Sequence, residues 1–186
     1  MRAASRISRA AVLACCVAAG LAGCAAGTSG SQSSVLQDRM VSAPASTAAA
    51  GDPQALARQA YLGMWQAFVA ASRTADYQYP SLDRYAAGAA LELLIQGLYQ
   101  DYRAGIVTRG QPSFDPVVTM TKTSLGTAEA KVSDCADDTH AVTYYKSGQL
   151  APGDPPGRHE VSAQVQPFDG TWKVTYLVVD KAGTCG

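Results

Sequence analysis

The hydrophobic period of this chain changes once, near Pro116. Before it, apolar side chains recur at helical spacing; after it, they alternate in twos. Leu56, Ala60, Met64, Ala67, Phe68 and Ala71 fall on one helical face. Asp52 precedes them as a good N-cap, because its short carboxylate can accept from the open N–H groups of a first turn. Pro53 suits the first helical position, where its missing N–H costs nothing. The pattern predicts a helix from Pro53 to about Arg73. In "DYQYPSLDRYAAGAALELLIQGLYQDYRAG", Pro80-Ser81 opens a second helical stretch, Leu91, Leu94, Ile95 and Leu98 give it an apolar stripe, and Gly105 closes it.

Five segments then alternate and carry many Val, Thr and aromatic residues: "PVVTMTKT", "TAEAKVSD", "HAVTYYKS", "HEVSAQVQPF" and "TWKVTYLVV". Gly, Asp or Pro turns separate them, so they read as five strands of an antiparallel sheet. The alternation puts Val118 with Met120, Ala128 with Val132, Val142 with Tyr144, Val161 with Val165, and Trp172, Val174, Tyr176 and Val178 on one face. An apolar sheet face needs cover, and the upstream helices are what the chain offers. The predicted fold class is α+β, with N-terminal helices packed on one curved antiparallel sheet.

The first residues read differently. Arg2, Arg6 and Arg9 precede an apolar run from Ala10 to Leu21, which has the length of a signal segment and is too short for a permanent span. Leu21-Ala22-Gly23-Cys24 resembles the lipobox of bacterial lipoproteins. In that family the cysteine takes a diacylglycerol, the signal is cut just before it and the new N-terminus is acylated, palmitate being a typical chain. The resemblance implies that residues 1–23 are removed, that Cys24 is the lipidation site, and that the protein sits on the extracytoplasmic side of a membrane. Residues 24–51, rich in Ala, Ser, Gly and Thr, then form a flexible tether of about 30 Å root-mean-square span. Residues 52–186 are the folded domain.

Removal of the signal changes both charge and cysteine count. Fifteen Lys and Arg balance fifteen Asp and Glu in the full chain; the mature chain loses three of the basic groups and becomes slightly acidic. It has no basic run or stripe, which argues against nucleic acid as a partner. Of the five cysteines, Cys15 and Cys16 leave with the signal and Cys24 is spent on lipid. Cys135 and Cys185 remain, and in an oxidising compartment they have one intramolecular pairing. A simple five-strand meander would put them at opposite ends of the sheet. The pairing therefore requires that the tail after Asp180 fold back or that the strand order depart from a meander.

Helices followed by a long curved sheet is also the order of the nuclear transport factor two-like superfamily, the cystatin-like α+β roll. More narrowly, "MWQAFVAASRTADYQYPSLDRYAAGAAL", the "DC.D" motif, "GTWKV" and the final "GTC" resemble a group of small actinobacterial lipoproteins with that fold. The group brings no assigned reaction. Ketosteroid isomerase-like and dehydratase-like members of the wider superfamily do catalyse, in a pocket between helix and sheet where carboxylates, His or Tyr act as acid, base or oxyanion donor.

Candidate groups for such a pocket are few. Tyr61, Trp65 and Tyr85, with Tyr77 and Tyr79 near Asp76, can line a site for an apolar or cyclic ligand; they can equally be the core and rim of the helical layer. Asp76 is a candidate general base or a local cap. His140 shares the alternation of Val142 and Tyr144 and is expected to aim inward, whereas His159 follows the loop-like "APGDPPGR" and is expected in solvent. "VSDCADDTH" lacks the length, glycine and terminal Glu of an EF-hand loop, and no second thiolate lies close enough for a soft-metal site. Its acidic residues read as a solvated turn. There is no G-x-S-x-G and no phosphate loop.

The expected function is a non-enzymatic module of the cell envelope, without cofactor or metal, that binds a small apolar ligand or an envelope protein, with a second copy of the chain as a further partner. The alternative is a pocket enzyme of isomerase or dehydratase type using Asp76, pocket tyrosines and His140.

Overall fold

A computed structural model describes residues 51–153 and 155–185. The expected signal segment, Cys24 and the tether up to residue 50 lie outside the described residues.

Helix α1 spans Pro53–Ser72, and Asp52 caps it by accepting from the Gln54 N–H at 3.2 Å. Its buried face carries Ala57, Ala60, Tyr61, Met64, Trp65, Ala67 and Ala71. Gly63 on the same helix makes room for Tyr85: a Cβ there would stand 2.6 Å from the Tyr85 ring. The second helical stretch divides into a single turn, α2 (Leu82–Tyr85), and a full helix, α3 (Gly88–Ala104). Between them Ala86 lies extended and bridges Val174, and the Ala87 N–H donates to the Val174 carbonyl at 2.8 Å. Gly105 ends α3 in the left-handed region at φ 68°, a conformation that favours glycine.

Six strands follow: β1 (Ile106–Gly110), β2 (Val117–Lys122), β3 (Ala128–Asp137), β4 (Ala141–Tyr145), β5 (Arg158–Phe168) and β6 (Thr171–Ala182). The α+β class and the packing of helices on an antiparallel sheet agree with the sequence. The strand arrangement differs. β2, β3, β5 and β6 form a four-stranded antiparallel sheet in that order, while β4 leaves it to pair with β1. β1 was not predicted, because five residues directly after the helix cap are too few to display a period. Once it supplies a partner for β4, β3 lies against β5, with Cys135 opposite Glu160.

The covered face holds Val118, Ala130, Val132, Val161, Ala163, Val165, Val174 and Leu177. Met120, Ala128 and Tyr176, expected on that face, are exposed instead. For Tyr176, 49% exposed, the cause is a bulge: Gln164 pairs with Tyr176 but Val165 pairs with Val174, which leaves Thr175 unopposed. One extra residue reverses the faces beyond it, so Leu177 turns inward in place of Tyr176 and Val178.

The tail answers the cysteine question. β6 runs to Ala182, opposite His159, and Gly183 turns the chain at φ 85°. The Gly183 N–H donates to the Arg158 carbonyl at 2.8 Å, and the Glu160 N–H donates to Thr184 Oγ1 at 2.8 Å. These contacts lead the tail over β5 to β3, where Cys185 and Cys135 form a disulfide with Cα atoms 6.0 Å apart.

Candidate functional site

A cleft of about 230 Å³ lies between α1 and the place where the two sheets meet. Its aromatic wall begins on α1, where Trp65 and Phe68 project from successive turns of the helix. Phe114, from the connection between β1 and β2, stacks on Trp65 with ring centres 5.1 Å apart and planes 14° apart. Phe68 meets the same indole edge-on at 5.8 Å. Ala136, Val161 and Val179 form the sheet side, and Thr108, Ala141 and Thr143 line the β1–β4 side.

The connection that carries Phe114 is tied down from both ends. Ser113 and Asp137 exchange backbone hydrogen bonds of 2.8 and 3.0 Å. The Asp115 N–H donates to Asp134 Oδ1 at 2.9 Å, and the Arg58 guanidinium donates to the Pro116 carbonyl. The aromatic wall is thus held by backbone contacts and one buried carboxylate.

The cleft has a polar corner. Asp138 follows β3, and its Oδ1 accepts from the Gly157 N–H at 2.6 Å. Its Oδ2 lies 3.1 Å from His159 Nε2, at the start of β5. On the far side of that ring, Nδ1 lies 2.8 Å from the Asp180 carbonyl oxygen. A carbonyl can only accept, so Nδ1 carries a proton. In the neutral ring Nε2 is then an acceptor facing a second acceptor. The carboxylate stands within ion-pair distance yet off the line of a hydrogen bond, and Nε2 has no other partner among the described residues. Protonation of the ring turns the same contact into an ion pair.

Of the residues singled out from sequence, Trp65 lines this cleft and Tyr61 and Tyr85 do not. Tyr61 is fully buried in the core and donates to Asp134 Oδ2 at 2.9 Å. Tyr85 packs against α1 at Gly63. Asp76 lies at the end of α1 beside Tyr77 and Tyr102, in a separate surface hollow, and its Oδ1 accepts from the Gln78 N–H at 3.0 Å. It is a local turn-former.

The two histidines exchange the positions expected of them. His140 is exposed in the turn before β4, because the strand begins only at Ala141 and its alternation does not extend back. His159 continues the inward series of Val161, Ala163 and Val165, and its side chain is 14% exposed. Asp76 and His140 therefore do not meet in the cleft.

Asp134 and Asp138 also depart from the solvated turn read from "VSDCADDTH". Asp134 belongs to the inward series of Ala130, Val132 and Ala136 and is 6% exposed. Period-two counting along β3 was the signal for it. Asp137 behaves as a turn residue: its carboxylate accepts from the Thr139 N–H and hydroxyl, which hold it below the usual carboxylate range. Among the described residues, no three His, Cys, Asp or Glu side chains converge as a metal site.

Helices laid over a curved antiparallel sheet, with an aromatic cleft at one end, make this domain an α+β roll. The sequence matches no family model and no curated protein. Among solved structures, it is similar to the intermembrane space region of the chloroplast protein ARC6, at 16% identity and a TM-score of 0.41, over 68% of this chain and 97% of that one. It is also similar to Aln2 from a Streptomyces species, at 12% identity and a TM-score of 0.41, over 70% of this chain and 92% of that one. Likenesses this distant say nothing of what the chain binds.

Proposed function

We propose that the chain is a nuclear transport factor two-like lipoprotein, anchored through Cys24 on the extracytoplasmic side of the membrane, whose domain holds a small apolar ligand. The observation that carries the binding role is the wall of Trp65, Phe68 and Phe114 over a cleft with few polar groups. Such walls supply most of the contact in small-molecule sites, with a few polar groups setting orientation. The separation of Asp76 from the cleft favours binding over an isomerase or dehydratase reaction based on that carboxylate.

The test uses Trp65 as reporter in a Trp172→Phe background. Toluene should change its emission saturably, and Ala141→Phe, which places a ring in the cleft, should abolish the change. A response that never saturates, or one that Ala141→Phe leaves intact, overturns the binding role.

A further inference from the structure

We infer that the cleft selects a neutral, single-ring ligand carrying one hydrogen-bond donor, a phenol or an aniline, and rejects carboxylic acids; this rests on the binding role proposed above. Size gives the first limit. A dry cavity of about 150 Å³ admits benzene, and pockets for drug-sized ligands begin near ~300 Å³. At about 230 Å³ the cleft fits one substituted ring, which the stacked Trp65–Phe114 pair and the edge of Phe68 favour.

The polar atoms give the second limit. Among the described residues that line the cleft, Asp138 is the only carboxylate and none is Lys or Arg. Its side chain is 38% exposed, so Oδ2 is reachable while Oδ1 is occupied by the Gly157 N–H. The Ser72 hydroxyl, also in the lining, already donates a hydrogen bond to the Phe68 carbonyl at 2.8 Å. The His159 Nδ1 proton is committed to Asp180. The Thr108 and Thr143 hydroxyls can donate or accept and so do not discriminate.

The corner around Asp138 therefore offers acceptors and no dedicated donor; the Trp65 indole N–H, though it completes no hydrogen bond, is buried against the Tyr61 oxygen rather than in this corner. The conclusion holds for either state of His159. In the neutral ring the carboxylate lacks a proton partner at Oδ2, and beside an imidazolium Oδ2 still has a lone pair for a ligand donor. His159 acts as a positioning residue, since its Nε2 is shielded and the ligand would meet Asp138. A ring laid over Asp138 without a donor strips water from a charge and replaces it with nothing, whereas a ligand hydroxyl or amine replaces the lost water. An anionic ligand meets the Asp138 charge with no Lys or Arg in the described lining to offset it, and His159 offers it no free N–H, since Nδ1 is engaged by the Asp180 carbonyl and Nε2 is shielded.

Affinities of the full-length protein for 4-methylphenol, 4-methylanisole and 4-methylbenzoate decide the matter, measured by calorimetry in one common buffer. The phenol should bind at least about tenfold more tightly than its methyl ether, and the benzoate more weakly than either. Asp138→Asn, which keeps an acceptor for the Gly157 N–H, should bring phenol and ether to within about threefold. The wild-type ranking stands as the test even if that variant fails to fold. Equal binding of phenol and ether, or tightest binding of the benzoate, overturns the selectivity and leaves the binding role standing. Failure of all three to bind overturns both.

Discussion

The Tyr61 hydroxyl donates to Asp134 Oδ2 at 2.9 Å in the middle of the hydrophobic core, where one residue is fully buried and the other nearly so. Asp134 Oδ1 accepts from the Asp115 N–H at 2.9 Å. A single carboxylate on β3 thus ties α1 to the strand connection that carries Phe114. The Trp65 indole N–H lies near the Tyr61 oxygen, close enough to oppose the rise of the phenol pKa, without completing a hydrogen bond of ordinary geometry. The core and the aromatic wall of the cleft share this polar centre.

Tyr61→Phe removes one of the two donors and leaves Asp134 under-satisfied, so it should cost about 1.5–3 kcal/mol of stability. The pH dependence has a definite sign. Burial pushes the Tyr61 phenol up, and the Asp134 charge adds to the rise. The folded state therefore holds this proton more tightly than the unfolded chain. Its contribution is fully present below the ordinary tyrosine value near ~10 and is lost as pH climbs above it. Urea melts at about pH 8 and about pH 11 should show the wild type losing more stability over that interval than Tyr61→Phe. Equal losses would remove Tyr61 from the alkaline transition.

The disulfide between Cys135 and Cys185 closes a loop with a sequence separation of 50. On the chain-entropy model such a loop restricts the unfolded state by about 4 kcal/mol at most. Cys185→Ser should lower stability by about 2–4 kcal/mol and release Cys135 as a free thiol. The tail contacts at Arg158 and Glu160 should weaken with it, since only short hydrogen bonds would then hold the segment after Gly183. Alkylation followed by intact mass measurement checks the bond: adducts on both cysteines without prior reduction would show that it does not form.

Much of this fold is written in local patterns. The Asp52 cap, the face of α1 and the Gly105 stop depend on neighbours in sequence, and the structure places them as expected. The alternating segments are strands for the same reason. Strand order is different in kind, because a period of two says which residues share a face and nothing about which strand lies alongside. The departure of β4 depended on β1, a strand too short to show itself. The site was less legible still. Trp65 was visible as an aromatic on a helix, but Asp138 and His159 meet only through the pairing of β3 with β5. His140 and His159 were misassigned by carrying a strand pattern one residue too far and a loop composition one residue too far.

Gly110 is the residue that lets β1 take β4 as its partner. It sits at φ 92°, and a Cβ there would lie 1.8 Å from the His140 carbonyl oxygen. Neither atom belongs to a flexible side chain, so the backbone itself must shift. Gly110→Ala should cost at least about 2 kcal/mol, combining left-handed strain with this clash. The damage should concentrate in the two-stranded sheet, with amide exchange rising in 106–110 and 141–145 before it rises in β5. Uniform behaviour across both sheets, or a stability loss below about 0.5 kcal/mol, would mean that the β1–β4 pair accommodates the methyl.

Cys24→Ser separates the anchor from the domain. On the proposed reading, Cys24 carries acyl chains that each bury many methylenes at about 0.8 kcal/mol apiece; a single myristoyl chain holds a protein only reversibly, and two or more hold it stably. Serine offers no thiol for the diacylglycerol, so the variant should move from the membrane fraction to the soluble extracytoplasmic fraction. Its thermal unfolding should match that of the wild type, because the described core begins with α1 and draws its buried contacts from residues after Asp52. Fractionation with a blot against the domain reads the first outcome and a melt of the released protein reads the second. Retention of Cys24→Ser in the membrane fraction, with a mass that differs from the wild type only by the sulfur-to-oxygen exchange, would overturn the lipoprotein reading while leaving the cleft and its ligand open to the tests above.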